Sequence, residues 1–143
     1  MILFVCTGNT CRSPLAAALA RAHGVDAQSA GLDADRGDPA TIEAQFAAER
    51  YGADLSSHEA RNVHLRLIRE ASQVYAMTGW HAQQLIRRYP EYAERIRVLD
   101  PPISDPYGLG AAAYEECALA LLTALRNAGI LGPASHSETK KPK

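Results

Sequence analysis

The first fourteen residues constrain this chain more than any other stretch. Residues 2–5 (Ile-Leu-Phe-Val) form a continuous apolar, partly β-branched run, which suits a strand buried on both faces of a parallel sheet. A loop rich in Gly, Asn and Thr follows. Ser13 and Pro14 then stand where the N-cap and first residue of a helix belong, ahead of the alanine-rich segment 15–22. The same alternation recurs downstream. Strands are expected at 27–30, 73–78 and 97–99, and helices at about 39–51, 63–71, 80–89 and 111–127, with Gly129 past the last helix end. Strands alternating with helices imply an α/β fold with a parallel sheet and right-handed crossovers. In such sheets ligands bind at the carboxyl ends of the strands, so the loop after Val5 and the proline-punctuated loop 100–107 open toward one place.

Composition narrows the class. A chain of 143 residues with 47% hydrophobic and 22% charged residues fits one ordinary domain and excludes disorder or collagen-like repeats for its bulk. No apolar run approaches the roughly 18 residues that a membrane helix needs, so no membrane association and a cytoplasmic location are expected. Residues 1–132 hold 12 Arg, no Lys and 15 Asp or Glu, a net charge of −3. The last eleven residues carry +2 in a Pro/Ser-containing segment without an apolar face. The reading is therefore a folded domain over 1–132 and a disordered polar, basic tail over 133–143. An acidic body argues against nucleic acid as a partner. Cys6, Cys11 and Cys117 are too few, and odd in number, for a disulfide framework, and no Cys/His spacing suits a zinc site.

The chemistry concentrates in Cys6-Thr7-Gly8-Asn9-Thr10-Cys11-Arg12-Ser13. A Cys-x5-Arg-Ser pattern arises by chance in a chain of this composition with a probability of about 0.02, before its strand-to-helix context is required. A loop wrapped over a helix N-terminus aims backbone N–H groups and the positive end of the dipole at one point, a ready cradle for a phosphate dianion. Gly8 and Asn9 are the residue types that tolerate left-handed backbone there. Arg12 adds a planar fork for two phosphoryl oxygens. The same field is expected to depress the Cys6 thiol into the range of roughly 3.5 to 7.5, making its thiolate the nucleophile, with Ser13 donating to the sulfur or simply capping the helix. Cys117, among alanines and leucines, reads as core.

A nucleophile needs an acid for a poor leaving group, and Asp105-Pro106-Tyr107 lies in the loop leaving the last strand. Asp105 would protonate the leaving atom and later deprotonate water, with Tyr107 walling the pocket. Gly108-Leu109-Gly110 imitates a dinucleotide fingerprint but lacks the preceding strand, so it reads as a loop and helix start. The arginines at 61, 66, 69, 87, 88, 95 and 97 read as solvated helix faces rather than an anion surface.

These residues resemble the low-molecular-weight protein tyrosine phosphatases and their bacterial relatives. The resemblance runs from residues 2–14 through Ser29-Ala30-Gly31 and the strand at 74–78 to Asp105-Pro106-Tyr107. It implies a single-domain, four-stranded parallel sheet flanked by helices, with the phosphatase loop after the first strand. It also implies Cys6 as nucleophile, Arg12 as phosphate-binding arginine, Ser13 as partner of the thiolate, Asp105 as general acid, and Asn9 with Ser29 as support for the loop. The mechanism implied is two displacements through a cysteinyl-phosphate on phosphorylated proteins, by a monomer without metal or organic cofactor. Tyrosine-directed members usually carry an apolar residue where this chain has Thr10. The stretch Cys-Thr-Gly-Asn-Thr-Cys-Arg-Ser-Pro and the single aromatic of Tyr107-Gly108 look like the protein arginine phosphatases. A threonine hydroxyl suits a polar phosphoguanidinium better than a phenyl ring, so phosphoarginine is preferred and phosphotyrosine is the alternative. Arsenate reduction fits poorly, because residues 12–116 contain no resolving cysteine. A binding-only module would not need a nucleophile and an acid together.

Overall fold

The computed structural model describes residues 1–133. Its elements are β1 (Ile2–Cys6), α1 (Arg12–Ala22), β2 (Ala27–Gly31), α2 (Ile42–Arg50), α3 (Leu65–Glu70), β3 (Gln73–Ala76), α4 (Gly79–Arg88), β4 (Ile96–Val98) and α5 (Ala111–Asn127). The four strands are parallel in the order β2-β1-β3-β4, so β1 lies inside the sheet with a neighbour on each side. Its side chains alternate between two cores, as a doubly covered strand requires. Phe4 and Cys6 enter the core made with α1, α2 and α5, whereas Leu3 and Val5 enter the one made with α3 and α4. The chain leaves β1 toward β2 and later returns to the other side at β3. Crossovers of one hand running in opposite directions place helices on opposite faces, and the carboxyl end of β1 becomes the point where the topology switches.

The alternation read from the sequence is present, with boundaries moved by capping. The first helix starts at Arg12 with Cys11 as its N-cap, not at Pro14 with Ser13 as the cap. Ser13 sits inside the first turn, and its hydroxyl is committed elsewhere. The second helix begins at Ile42 because the Thr41 hydroxyl accepts from the Ala44 N–H at 3.2 Å. Thr78, expected at the end of a strand, instead caps α4 by accepting from the His81 N–H, so β3 stops at Ala76. A 3-10 turn over Pro90–Arg95, absent from the sequence pattern, joins α4 to β4. Gly108 and Gly110 have positive φ, and Gly110 opens α5, in keeping with a loop and helix start. No helix among the described residues is long and apolar enough to cross a membrane. The tail expected over 133–143 lies outside the described residues apart from Pro133.

The helix behind the phosphate loop packs unusually close. Every residue of α1 from Arg12 to Ala20 is buried, and its alanines let α2, α5 and the sheet approach on all sides. Gly31 ends β2 against the loop, where a Cβ would lie 2.5 Å from the Thr7 carbonyl oxygen and 3.1 Å from the Asn9 Cβ. Backbone cannot give way cheaply at that distance. Gly31→Ala should therefore destabilise the fold by about 1–3 kcal/mol in urea unfolding and displace the loop. Unchanged stability with an undisplaced loop would contradict this account of Gly31.

Candidate active site

The loop between β1 and α1 brings its residues into one cleft of about 320 Å³, lined by every position from Cys6 to Arg12 and by Asp105 and Tyr107. Asn9 adopts the left-handed conformation expected of it, with φ 56°. Gly8 does not: its φ is not positive, and a Cβ there would meet nothing closer than the Thr10 hydroxyl at 3.8 Å. One left-handed residue suffices to turn the loop.

Asn9 is wholly buried and its amide is fully used. Nδ2 donates to the Ser13 hydroxyl and to the Ser29 hydroxyl, both at 2.9 Å, while Oδ1 accepts from the Arg61 N–H at 3.0 Å. Because Asn9 donates into Ser13 Oγ, the Ser13 proton is left for Cys6 Sγ at 2.9 Å, a closer acceptor than the Ala30 carbonyl at 3.4 Å. The chain Ser29–Asn9–Ser13–Cys6 thus sets the orientation of the sulfur from the neighbouring strand.

The backbone N–H groups of Ser13 and Asn9 are turned to the same sulfur, and Arg12 adds its charge. Burial nevertheless outweighs them and pushes the Cys6 thiol up. The expected depression is therefore corrected: the cradle supplies the anticipated stabilising groups, but a sulfur only 3% exposed has lost the water that would favour its ionised form. Each remaining hydrogen bond then counts directly toward reactivity.

Arg12 is buried, with Nη1 donating to the Ile103 carbonyl at 3.0 Å and Nη2 lying 3.9 Å from Asp105 Oδ2. Asp105 is exposed and accepts from the Tyr107 N–H at 3.1 Å, an Asx turn that aims its other oxygen at the cleft mouth. Tyr107 stands out into solvent on the rim. Thr10 lines the cleft, and among the described residues the hydrogen-bond partner of its hydroxyl is the Cys11 sulfur, at a distant 3.8 Å. The Cys11 thiol points away toward the Tyr114 hydroxyl at 3.2 Å, and Cys117 is core, as expected.

Several site residues carried no local signal. His81 at the start of α4 is buried, with Nε2 2.9 Å from the Thr7 hydroxyl and Nδ1 2.7 Å from the Thr78 hydroxyl. Burial, followed by the Arg12 charge, pushes its pKa down to about 4 against a smaller pull from Asp105, so it is neutral at pH 7. His58 Nε2 lies 2.7 Å from the Asn9 carbonyl. Arg61, read as part of a solvated helix face, instead precedes α3 and donates to the Ser29 carbonyl and the Gln28 side chain. Asp33, Asp35 and Asp38 line the cleft mouth. These histidines stand singly in sequence, and only the tertiary fold brings them to the loop.

A cysteine at the foot of a phosphate cradle, between a central parallel strand and a buried helix, defines a cysteine-dependent phosphatase. Residues 1–129 match the family described as low molecular weight phosphotyrosine protein phosphatase. A protein-arginine-phosphatase of Geobacillus stearothermophilus is 38% identical over 117 residues, covering 75% of this chain and 78% of the relative. A probable low molecular weight protein-tyrosine-phosphatase, EpsP, of Ralstonia nicotianae is 36% identical over 121 residues, with 80% and 83% covered. Among solved structures, the YwlE arginine phosphatase of Geobacillus stearothermophilus has a TM-score of 0.82 at 30% identity, over 94% of this chain and 98% of that one. A low molecular weight protein tyrosine phosphatase from T. tengcongensis also gives 0.82, at 37% identity and 89% and 95% coverage. The chain belongs to the low-molecular-weight phosphotyrosine protein phosphatase family.

Two measurements probe this geometry. Ser13→Ala removes a group that holds the Cys6 thiol down, so the pH profile of Cys6 alkylation by iodoacetamide should move to higher pH; an unmoved profile would contradict the hydrogen bond. His81 has a folded pKa below its ordinary value, so its contribution to stability is whole above about pH 6.5 and is lost as pH falls toward about 4. His58, also held down by burial, acts in the same direction. The stability deficit of His81→Asn in urea should be smaller at about pH 4.5 than at about pH 7. Equal deficits at both would be the contrary result.

Proposed function

We propose that the protein removes phosphate from phosphoarginine side chains of proteins, through a cysteinyl-phosphate on Cys6. The observation that carries the choice of phosphoarginine is Thr10, which lines the cleft with a hydroxyl that, among the described residues, meets only a distant sulfur, beside Asp33, Asp35 and Asp38. A polar phosphoguanidinium would satisfy that hydroxyl, and the three carboxylates favour a cationic over an aromatic leaving group. The identity to a protein-arginine-phosphatase supports the same choice.

In the first step the Cys6 thiol gives up its proton to solvent, its sulfur attacks phosphorus and the bond to the leaving nitrogen breaks, while Arg12 and the loop N–H groups hold the phosphoryl oxygens. Asp105 gives the leaving nitrogen its proton. In the second step Asp105 takes a proton from water, which attacks phosphorus and releases phosphate and the Cys6 thiolate. Ser13 stabilises that thiolate in both steps as leaving group and nucleophile, and Thr7, Gly8, Asn9, Thr10 and Cys11 form the wall around the phosphate. A YwlE arginine phosphatase mutant with a phosphorylated active-site serine, of TM-score 0.83 and 31% identity, supports a phosphoryl-enzyme route. The same reading makes the protein a cytoplasmic monomer working without metal or organic cofactor.

The test compares kcat/KM for phosphoarginine and phosphotyrosine peptides at one pH, with p-nitrophenyl phosphate as a common reference. Wild type should favour phosphoarginine, and Thr10→Ile should reverse the order while retaining p-nitrophenyl phosphate hydrolysis. A polar contact of about 1–3 kcal/mol corresponds to roughly 5- to 200-fold in the ratio. Cys6→Ser should be inactive on all three, and Asp105→Asn should slow phosphoarginine cleavage by roughly 10²- to 10⁴-fold. A wild-type preference for phosphotyrosine, or a ratio indifferent to Thr10→Ile, replaces this reading with a tyrosine phosphatase.

A further inference from the structure

A second cavity, of about 480 Å³, shares no lining residue with the cleft at the phosphate loop. Its wall carries Arg21, Arg36, Arg61 and His58, with Glu59 as its one carboxylate among the described residues. The three guanidinium groups come from the last turn of α1, the loop after β2 and the segment before α3, so the fold and not local sequence gathers them. On a body of net charge −3 this is a local excess of positive charge. We propose that this cavity binds a phosphate-type oxyanion and that its occupant is felt by the catalytic loop.

The forks are held in place and only partly spent. Arg21 Nη1 donates to the Ala27 carbonyl at 3.1 Å, and Arg61 donates from Nε to the Ser29 carbonyl at 3.0 Å and from Nη2 to Gln28 Oε1 at 2.6 Å. Each guanidinium has five N–H donors, so both retain several for a ligand. No carboxylate among the described residues lies within ion-pair distance of Arg21, Arg36 or Arg61. Loss of water lowers the pKa of Arg21 and Arg61, the response of cations drawn inward without a counter-charge. Planar forks preorganised by carbonyls suit phosphate oxygens better than a halide or a lone carboxylate.

The wall of the cavity is also the rear support of the nucleophile. Arg61 donates its backbone N–H to Asn9 Oδ1, its side chain grips the Ser29 carbonyl, and His58 meets the Asn9 carbonyl. Asn9 and Ser29 lead through Ser13 to Cys6. An anion that draws the Arg61 fork toward the cavity therefore pulls on the residues that orient the sulfur. Two sources offer this chemistry: free phosphate, which the proposed reaction itself releases, and a second phosphoryl group on a multiply phosphorylated substrate.

The experiment uses the full chain and inorganic phosphate as the probe. In Arg12→Ala protein, whose catalytic cradle has lost its fork, phosphate should still shift the amide resonances of Gln28 and Gly37 to saturation. Adding Arg21→Ala and Arg36→Ala should raise the apparent Kd at those resonances by about tenfold or more. Arg36→Glu alone, at an exposed position, should act in the same direction without disturbing packing. Absence of shifts at Gln28 and Gly37, or shifts unaltered by these substitutions, overturns the proposal. With the catalytic residues intact, Arg21→Ala/Arg36→Ala should hydrolyse p-nitrophenyl phosphate as wild type does, so failure of this site is distinguishable from failure of the phosphatase reading. A wild-type preference of about fivefold or more for a doubly over a singly phosphorylated peptide, lost in that variant, identifies the substrate as the source. Equal rates on both peptides with phosphate binding retained identify free phosphate.

Discussion

The structure turns on the side chain of one asparagine. Asn9 supplies the single left-handed residue of the phosphate loop, and its buried amide ties together Ser13 on α1, Ser29 on β2 and the Arg61 backbone. Its nearest chemical relatives do not fit this arrangement. Aspartate would lose both donors and bury a negative charge beside the sulfur, and glutamine would carry the amide one methylene too far while tolerating the left-handed backbone less well. The loop can consequently be tight without being loose in orientation, because three elements fix it through one planar group.

Arginine performs a second task that its charge alone would not predict. All twelve cations of residues 1–132 are arginines, and several are staples for carbonyl groups: Arg12 on Ile103, Arg88 on Leu32, and Arg95 on Ile68, Arg69 and Ala71 together. The last set closes the carboxyl end of the short helix α3, whose final carbonyls have no partners within the helix. All three contacts come from one nitrogen, Nη1, whose two hydrogens are shared among the three carbonyls.

What was legible in the sequence was local. The apolar run at residues 2–5, the loop chemistry of Cys6 to Ser13 and the Asp105-Pro106-Tyr107 turn each declare themselves within a few residues, and the alternation of strands and helices follows from spacing. Misreadings arose where one residue type serves two purposes. Thr78 is as good a strand residue as a cap, and only the placement of His81 decides; Ser13 is an ideal N-cap on paper, yet its hydroxyl is taken by Cys6 and Asn9. The Cys6 thiol departs from the motif's expectation because burial is a property of the whole packing and leaves no mark on an eight-residue stretch. His58, His81 and Arg61 reach the loop across 49, 74 and 52 positions, beyond any pattern of spacing.

The position of β1 sets how this protein loses its activity. The nucleophile ends the strand that is paired on both edges and covered on both faces, and the helix that follows is buried along most of its length. Strands in that position are released only when the whole domain opens, whereas edge strands and rim loops exchange their amide hydrogens through small local excursions. The loop that begins at Cys6 therefore belongs to the slowly exchanging part of the molecule, and the exposed loop that carries Asp105 to a faster one. As the domain begins to open, Asp105 is therefore expected to leave its place beside Arg12 before Cys6 leaves the end of β1.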